Sequence, residues 1–177
     1  VNTARYETTG CGIQTAALGF AGISTGNVAL TENYDGTSWT EVADLNLGRR
    51  TRGIGDSSTA ALCVGGSTPP SFTANTESWN GTAWTEVNNL NTARGYFGCG
   101  GTSTNGLVFG GAPPDTLAVT EAYDGTSWTE VNDLATGRNT LGGTGSGTLA
   151  LAIGGSPYAS TVEEWTIPSF TTKTFDT

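Results

Sequence analysis

Four glutamates and four arginines recur along the chain at nearly even intervals: Glu32, Glu77, Glu121 and Glu163, and Arg5, Arg49, Arg94 and Arg138. Two carboxylates flanking a sugar can hydrolyse a glycosidic bond, one as acid and the other as nucleophile or base. A catalytic pair of that kind occurs once in a site. A carboxylate that returns four times in phase with an arginine points instead to a structural ion pair, since a buried guanidinium needs a carboxylate or several carbonyls. No histidine is present. That removes Ser–His–Asp and Cys–His catalysis, imidazole acid–base chemistry and histidine-bound zinc or copper.

The remaining chemistry-bearing groups are sparse. Cys11, Cys63 and Cys99 have no CxxC spacing and fall at three different repeat positions, so they read as buried free thiols. Gly142 to Gly147 lacks the lysine and the following helix of a phosphate-binding loop. No EF-hand or dense Asp cluster marks a calcium site. Neither a catalytic residue nor a metal or other cofactor is expected.

The elements that carry these residues are set by an internal repeat. Tyr34-Asp35-Gly36-Thr37-Ser38-Trp39-Thr40-Glu41-Val42 returns letter for letter at Tyr123 to Val131, and Trp79 to Val87 is a close variant. A fourth, eroded copy runs Trp165 to Phe170. The leading aromatics lie 45, 44 and 42 residues apart. Thirteen residues after each periodic arginine stands Leu18, Leu62, Leu107 or Leu151, followed two residues on by Phe20, Val64, Phe109 or Ile153. A small pair comes next: Ala21-Gly22, Gly65-Gly66, Gly110-Gly111 or Gly154-Gly155.

Each unit reads as four strands. The first follows the arginine, as in Tyr6 to Gly12. The second alternates and stops at the small pair, the third ends at Glu-x-aromatic, and the fourth begins at Trp39, Trp84, Trp128 or Phe170. Asp35-Gly36, Asn80-Gly81 and Asp124-Gly125 supply the positive φ of tight hairpin turns. Thr166-Ile167-Pro168 must turn differently. No helical period is sustained anywhere.

Bulk properties agree. In 177 residues, 36% are hydrophobic and only 13% charged, with 27 glycines between short apolar runs, as in a single all-β domain with many turns. A net charge of −9 repels nucleic acid and anionic membranes. The longest apolar run, near Ala16 to Ile23, is far short of a membrane span. There is no signal-peptide pattern, and the chain opens on Val1 rather than Met, as a piece of a longer polypeptide would.

A four-strand period, a paired glycine after the second strand and an aromatic-Asp-Gly…Trp segment together resemble the Kelch motif of β-propellers over essentially the whole chain. The low charge and the Thr/Asn/Gly richness are also similar to Kelch-like repeats in tail or fibre proteins of bacterial viruses. The resemblance implies one β-propeller domain, residues 1–177, of four four-stranded blades near 2–45, 46–90, 91–134 and 135–177. Such blades stack because a single sheet cannot bury both faces, and Trp39, Trp84 and Trp128 are expected between them. Four blades close alone, pair with another copy, or form part of a larger ring. The copper oxidase activity known on Kelch-like blades needs histidines and does not carry over. Asp35 and Asp124 lack the spacing of the Asp-box in sialidase propellers.

The copies differ most after the paired glycines. Pro69, Pro70, Phe72, Pro113, Pro114, Asp115, Pro157 and Tyr158 lie there, including five of the six prolines. Stiff loops lose less entropy on binding, so these are the candidate ligand-binding residues, with Phe72 and Tyr158 as stacking platforms. The expectation is a non-enzymatic structural or adhesive module of an extracellular or virion assembly. Its partners would be a protein or glycan surface or neighbouring subunits, including copies of itself. An intracellular Kelch-type interaction module is the alternative, and a carboxylate-based glycosidase or lyase a third.

Overall fold

The computed structural model describes residues 1–113, 115–157, 160–166 and 169–173. Four antiparallel sheets follow one another along the chain, and no helix occurs among the described residues. The first sheet holds β1 (Thr9–Ile13), β2 (Ala16–Phe20), β3 (Thr31–Tyr34) and β4 (Trp39–Glu41). The second holds β5 (Arg50–Ser57), β6 (Ala60–Thr68), β8 (Thr76–Trp79) and β9 (Trp84–Val87), with β7 (Ser71–Phe72) added to β6. The third comprises β10 (Gly98–Thr102), β11 (Asn105–Phe109), β12 (Thr120–Tyr123) and β13 (Trp128–Val131). In the fourth are β14 (Gly142–Gly145), β15 (Leu149–Ile153), β16 (Val162–Thr166) and β17 (Ser169–Lys173).

Strand bounds differ from the sequence expectation in two places. In the first, third and fourth sheets the first strand begins later than the residue after the arginine: Tyr6 makes only an isolated bridge to Ile23, and β1 starts at Thr9, whereas β5 starts directly at Arg50. In the second sheet, β6 does not stop at Gly65-Gly66 but runs to Thr68, because the Pro69-Pro70 turn folds Ser71–Phe72 back onto it. The expected turn at Ile167-Pro168 lies outside the described residues.

In the first three sheets the third-to-fourth-strand hairpin is built the same way. Tyr34 pairs with Trp39, Trp79 with Trp84, and Tyr123 with Trp128, their ring centroids 5.1, 5.4 and 4.9 Å apart. The turn rests on a side chain as much as on the glycine. Asp35 Oδ1 accepts the Thr37 and Ser38 amides at 2.8 Å, Asp124 does the same for Thr126 and Ser127, and Asn80 for Thr82 and Ala83 at 2.9 Å. Only the glycine of each pair takes a positive φ, 95°, 91° and 94° in turn order.

The core lies in the seams between sheets. Period two along β2 sends Leu18 and Phe20 to one face, where they pack with Ala61, Cys63 and Trp84 of the second sheet. Leu62 and Val64 meet Val108, Tyr123 and Trp128 of the third in the same way, and Leu107 and Phe109 meet Ala150, Ala152 and Trp165 of the fourth. A backbone bond repeats at each seam. The amides of Gly22, Gly66 and Gly111 donate to the carbonyls of Arg49, Arg94 and Arg138 at 3.1, 2.8 and 2.7 Å. Close approach explains the small residues beside them, since a Cβ on Gly65 or Gly110 would stand 2.7 or 2.5 Å from the Arg94 or Arg138 oxygen. First strands line up behind: β5 packs between β1 and β10, and β10 also packs on β14. Among the described residues, no packing of that extent joins the fourth sheet to the first.

Candidate functional site

The periodic charges sit inside their own sheets. Arg49 reaches Glu77 at 2.6 Å, Arg94 reaches Glu121 at 2.6 Å and Arg138 reaches Glu163 at 2.7 Å; Arg5 stands farther from Glu32, at 3.5 Å. Sheet carbonyls take the spare guanidinium hydrogens, as when Arg49 Nε donates to Gly65 O and Nη2 to Cys63 O. The second oxygen of Glu77 accepts both the amide and Nδ2 of Asn46, and Glu121 is bound likewise by Asn91. Burial lowers the proton affinity of Arg94, and Glu121 opposes that. Every one of these carboxylates is sealed from solvent.

Of the thiols, Cys63 is buried, whereas Cys11 and Cys99 are half-buried rather than fully buried as expected. Burial pushes Cys11 up to about 11, Cys63 to about 12 and Cys99 to about 11, so at neutral pH little nucleophilic thiolate exists. Cys11 donates to Ser57 O and Cys99 to Gly53 O, both across a seam. All three are free. Among the described residues, no three His, Cys, Asp or Glu side chains converge to hold a metal ion.

One cavity of about 290 Å³ draws on all four units. Glu7 and Thr9 come from the first, Arg50 and Arg52 from the second, Tyr96 from the third and Thr140 from the fourth. Glu7, Tyr96 and Thr140 occupy the same repeat position, two residues after the periodic arginine, and have φ of 51°, 58° and 52°. A left-handed backbone costs a residue with a Cβ about 1–2 kcal/mol. Three such positions at the wall of one cavity are the kind of local strain that marks a site.

Within the cavity, Arg50 lies 3.5 Å from Glu7 and 5.9 Å above the Tyr96 ring, and its Nε is buried with no hydrogen-bond partner. Arg52 is exposed. Threonine hydroxyls and Ser67 complete a polar lining. Such a set can grip a carboxylate or other anion through guanidinium forks, with an aromatic face and hydroxyls for a sugar ring.

The proline loops stand at this end of the sheets. Arg50 pairs with Ser67, Gly95 bridges to Ala112 and Asn139 to Ser156, so each loop is tied to the residue after a periodic arginine. Pro69, Pro70, Asp115 and Pro157 are exposed and Pro113 is half-buried, with cis bonds at Pro69-Pro70, Ala112-Pro113 and Ser156-Pro157. Phe72 is not a free platform: its ring lies edge-on to Tyr96, 5.7 Å away, above Gly95. It supports the cavity from behind. Pro114 and Tyr158 lie outside the described residues. Trp84 and Trp128 are buried between sheets, with Trp84 Nε1 donating to Thr31 Oγ1 at 2.9 Å, whereas Trp39 is half-buried at the outer face of the first sheet.

Glu7, Arg50, Arg52, Tyr96 and Thr140 were not among the sequence candidates. A signal exists for the two arginines alone. Of six arginines, only Arg50 and Arg52 fall outside the repeat. No protein-family model matches the chain, and no curated protein matches it. Among the described residues, no helix is long and apolar enough to cross a membrane.

Proposed function

We propose that the chain is a Kelch-like β-propeller module, each sheet a blade, that binds a target without turning it over. It serves as a structural or adhesive part of an extracellular or virion assembly. The carrying observation is the shared cavity, lined by the residues that break the repeat and flanked by the proline loops. Sealed carboxylates, raised thiols and the absence of histidine from the sequence favour recognition over catalysis. Low charge and Thr/Asn/Gly richness support the extracellular or virion setting.

The ligand class that fits is an acidic saccharide. Arg52 and Arg50 meet its carboxylate, Tyr96 its ring and the threonines its hydroxyls. The test is a glycan array of neutral and acidic sugars, followed by calorimetry on any hit. Binding should be confined to acidic glycans, and Arg52→Ala should weaken it about 10–100-fold, the loss of one charge-assisted hydrogen bond. Hydrolysis of a bound glycan, or equal affinity for neutral sugars, would overturn the proposal.

A further inference from the structure

Among the described residues, the fourth sheet carries an apolar face that is left exposed. Leu151 is 37% exposed and Ile153 42%, with Leu149 beside them. Their counterparts Leu18, Leu62 and Leu107, and Phe20, Val64 and Phe109, are each exposed by no more than 1%. Those are the residues that press against the next sheet along the chain. On a solvated sheet face, alternation would place polar side chains at these positions; here leucine and isoleucine are kept.

The opposite end of the row is its complement. On the outer face of the first sheet, Ala17 pairs with Tyr34 and Tyr34 with Trp39. The same trio in the second sheet, Ala61, Trp79 and Trp84, is buried because the first sheet lies on it. In the first sheet all three are only half-buried. The chain therefore contains this seam three times, and its two end faces match the two halves of one more.

We infer that the fourth sheet of one molecule docks on the first sheet of a second copy, repeating the internal seam. Leu151 and Ile153 take the places of Leu18 and Phe20, and Ala17, Tyr34 and Trp39 those of Ala61, Trp79 and Trp84. The register also sets the Gly155 amide opposite the Arg5 carbonyl of the second copy, continuing the bonds from Gly22, Gly66 and Gly111. The contact is head-to-tail, so it closes into a ring where the rotation allows and otherwise extends. It stands independently of what the cavity binds.

The test is sedimentation equilibrium across a concentration series. The chain should self-associate. Leu151→Asp with Ile153→Asp ruins one face and Ala17→Glu the other. Each variant alone should be monomeric, weakened by more than about a hundredfold, the first by the loss of two apolar anchors and the second by a charge placed in the seam. Mixed, the two should form a one-to-one dimer and nothing longer, because one intact pair of faces remains. Circular dichroism checks folding, and Tyr34→Ser replaces Ala17→Glu if that variant does not fold. A wild-type chain that stays monomeric throughout, a single-face variant that still self-associates, or a mixture that does not pair would overturn the inference.

Discussion

The third and fourth sheets are written in the same pattern and covered differently. Leu107 and Phe109 are sealed by Ala150, Ala152 and Trp165, while Leu151 and Ile153 meet solvent. Inside each sheet the arrangement is unchanged: Arg94 holds Glu121 and Arg138 holds Glu163 at nearly one distance. Two layers of stability are thereby separated. The ion pairs belong to a sheet and the apolar contacts belong to a seam.

The largest effect should be blind to position. Removing the charge from Glu121 or Glu163 as Gln leaves a buried guanidinium without its counter-ion, at a cost of about 3–5 kcal/mol in either sheet. Urea unfolding of the two variants should give similar losses; a much smaller one for Glu163→Gln would break the separation. Truncation at the apolar positions should be sharply unequal. Leu107→Ala should cost about 2–5 kcal/mol and Leu151→Ala under about 1 kcal/mol in the monomer, read from the same unfolding curves. Equal costs would mean that the fourth face is already covered.

The smallest effect concerns the hairpin turns. Amide donors hold the Asp35 and Asp124 carboxyls below the ordinary value of 3.8. A folded value below the unfolded one means that stabilisation is complete above the unfolded value and lost as pH falls through the folded one. Carboxyl chemical shifts followed by NMR should titrate below the ordinary value at both. Asn80 makes the same bonds without a charge, so Asp35→Asn with Asp124→Asn should flatten this part of the acid limb of a melting-temperature profile.

The sheets were legible in the sequence because their constraints are local. An aromatic on each side of Asp-Gly fixes a hairpin within nine residues, and the arginine–glutamate phase fixes the sheet around it. The late start of β1 and the added β7 were not, since both depend on which residue happens to bridge across a loop. The cavity was missed for a different reason. A left-handed backbone at Glu7, Tyr96 or Thr140 is imposed by tertiary packing, and nothing in those side-chain types announces it. Attention to the prolines named Phe72 as a stacking platform; that its ring stands edge-on to Tyr96 depends on a contact between neighbouring sheets that proline positions do not show.

The bond from a glycine amide to the following arginine's carbonyl, described at three seams, makes every junction interchangeable with every other. Duplicating or deleting some 44 residues, the spacing from Trp79 to Tyr123, changes how many junctions a molecule has without altering the chemistry of any of them. The number of sheets can then be changed by exchange between identical stretches such as Tyr34–Val42 and Tyr123–Val131, with no new kind of contact to be invented.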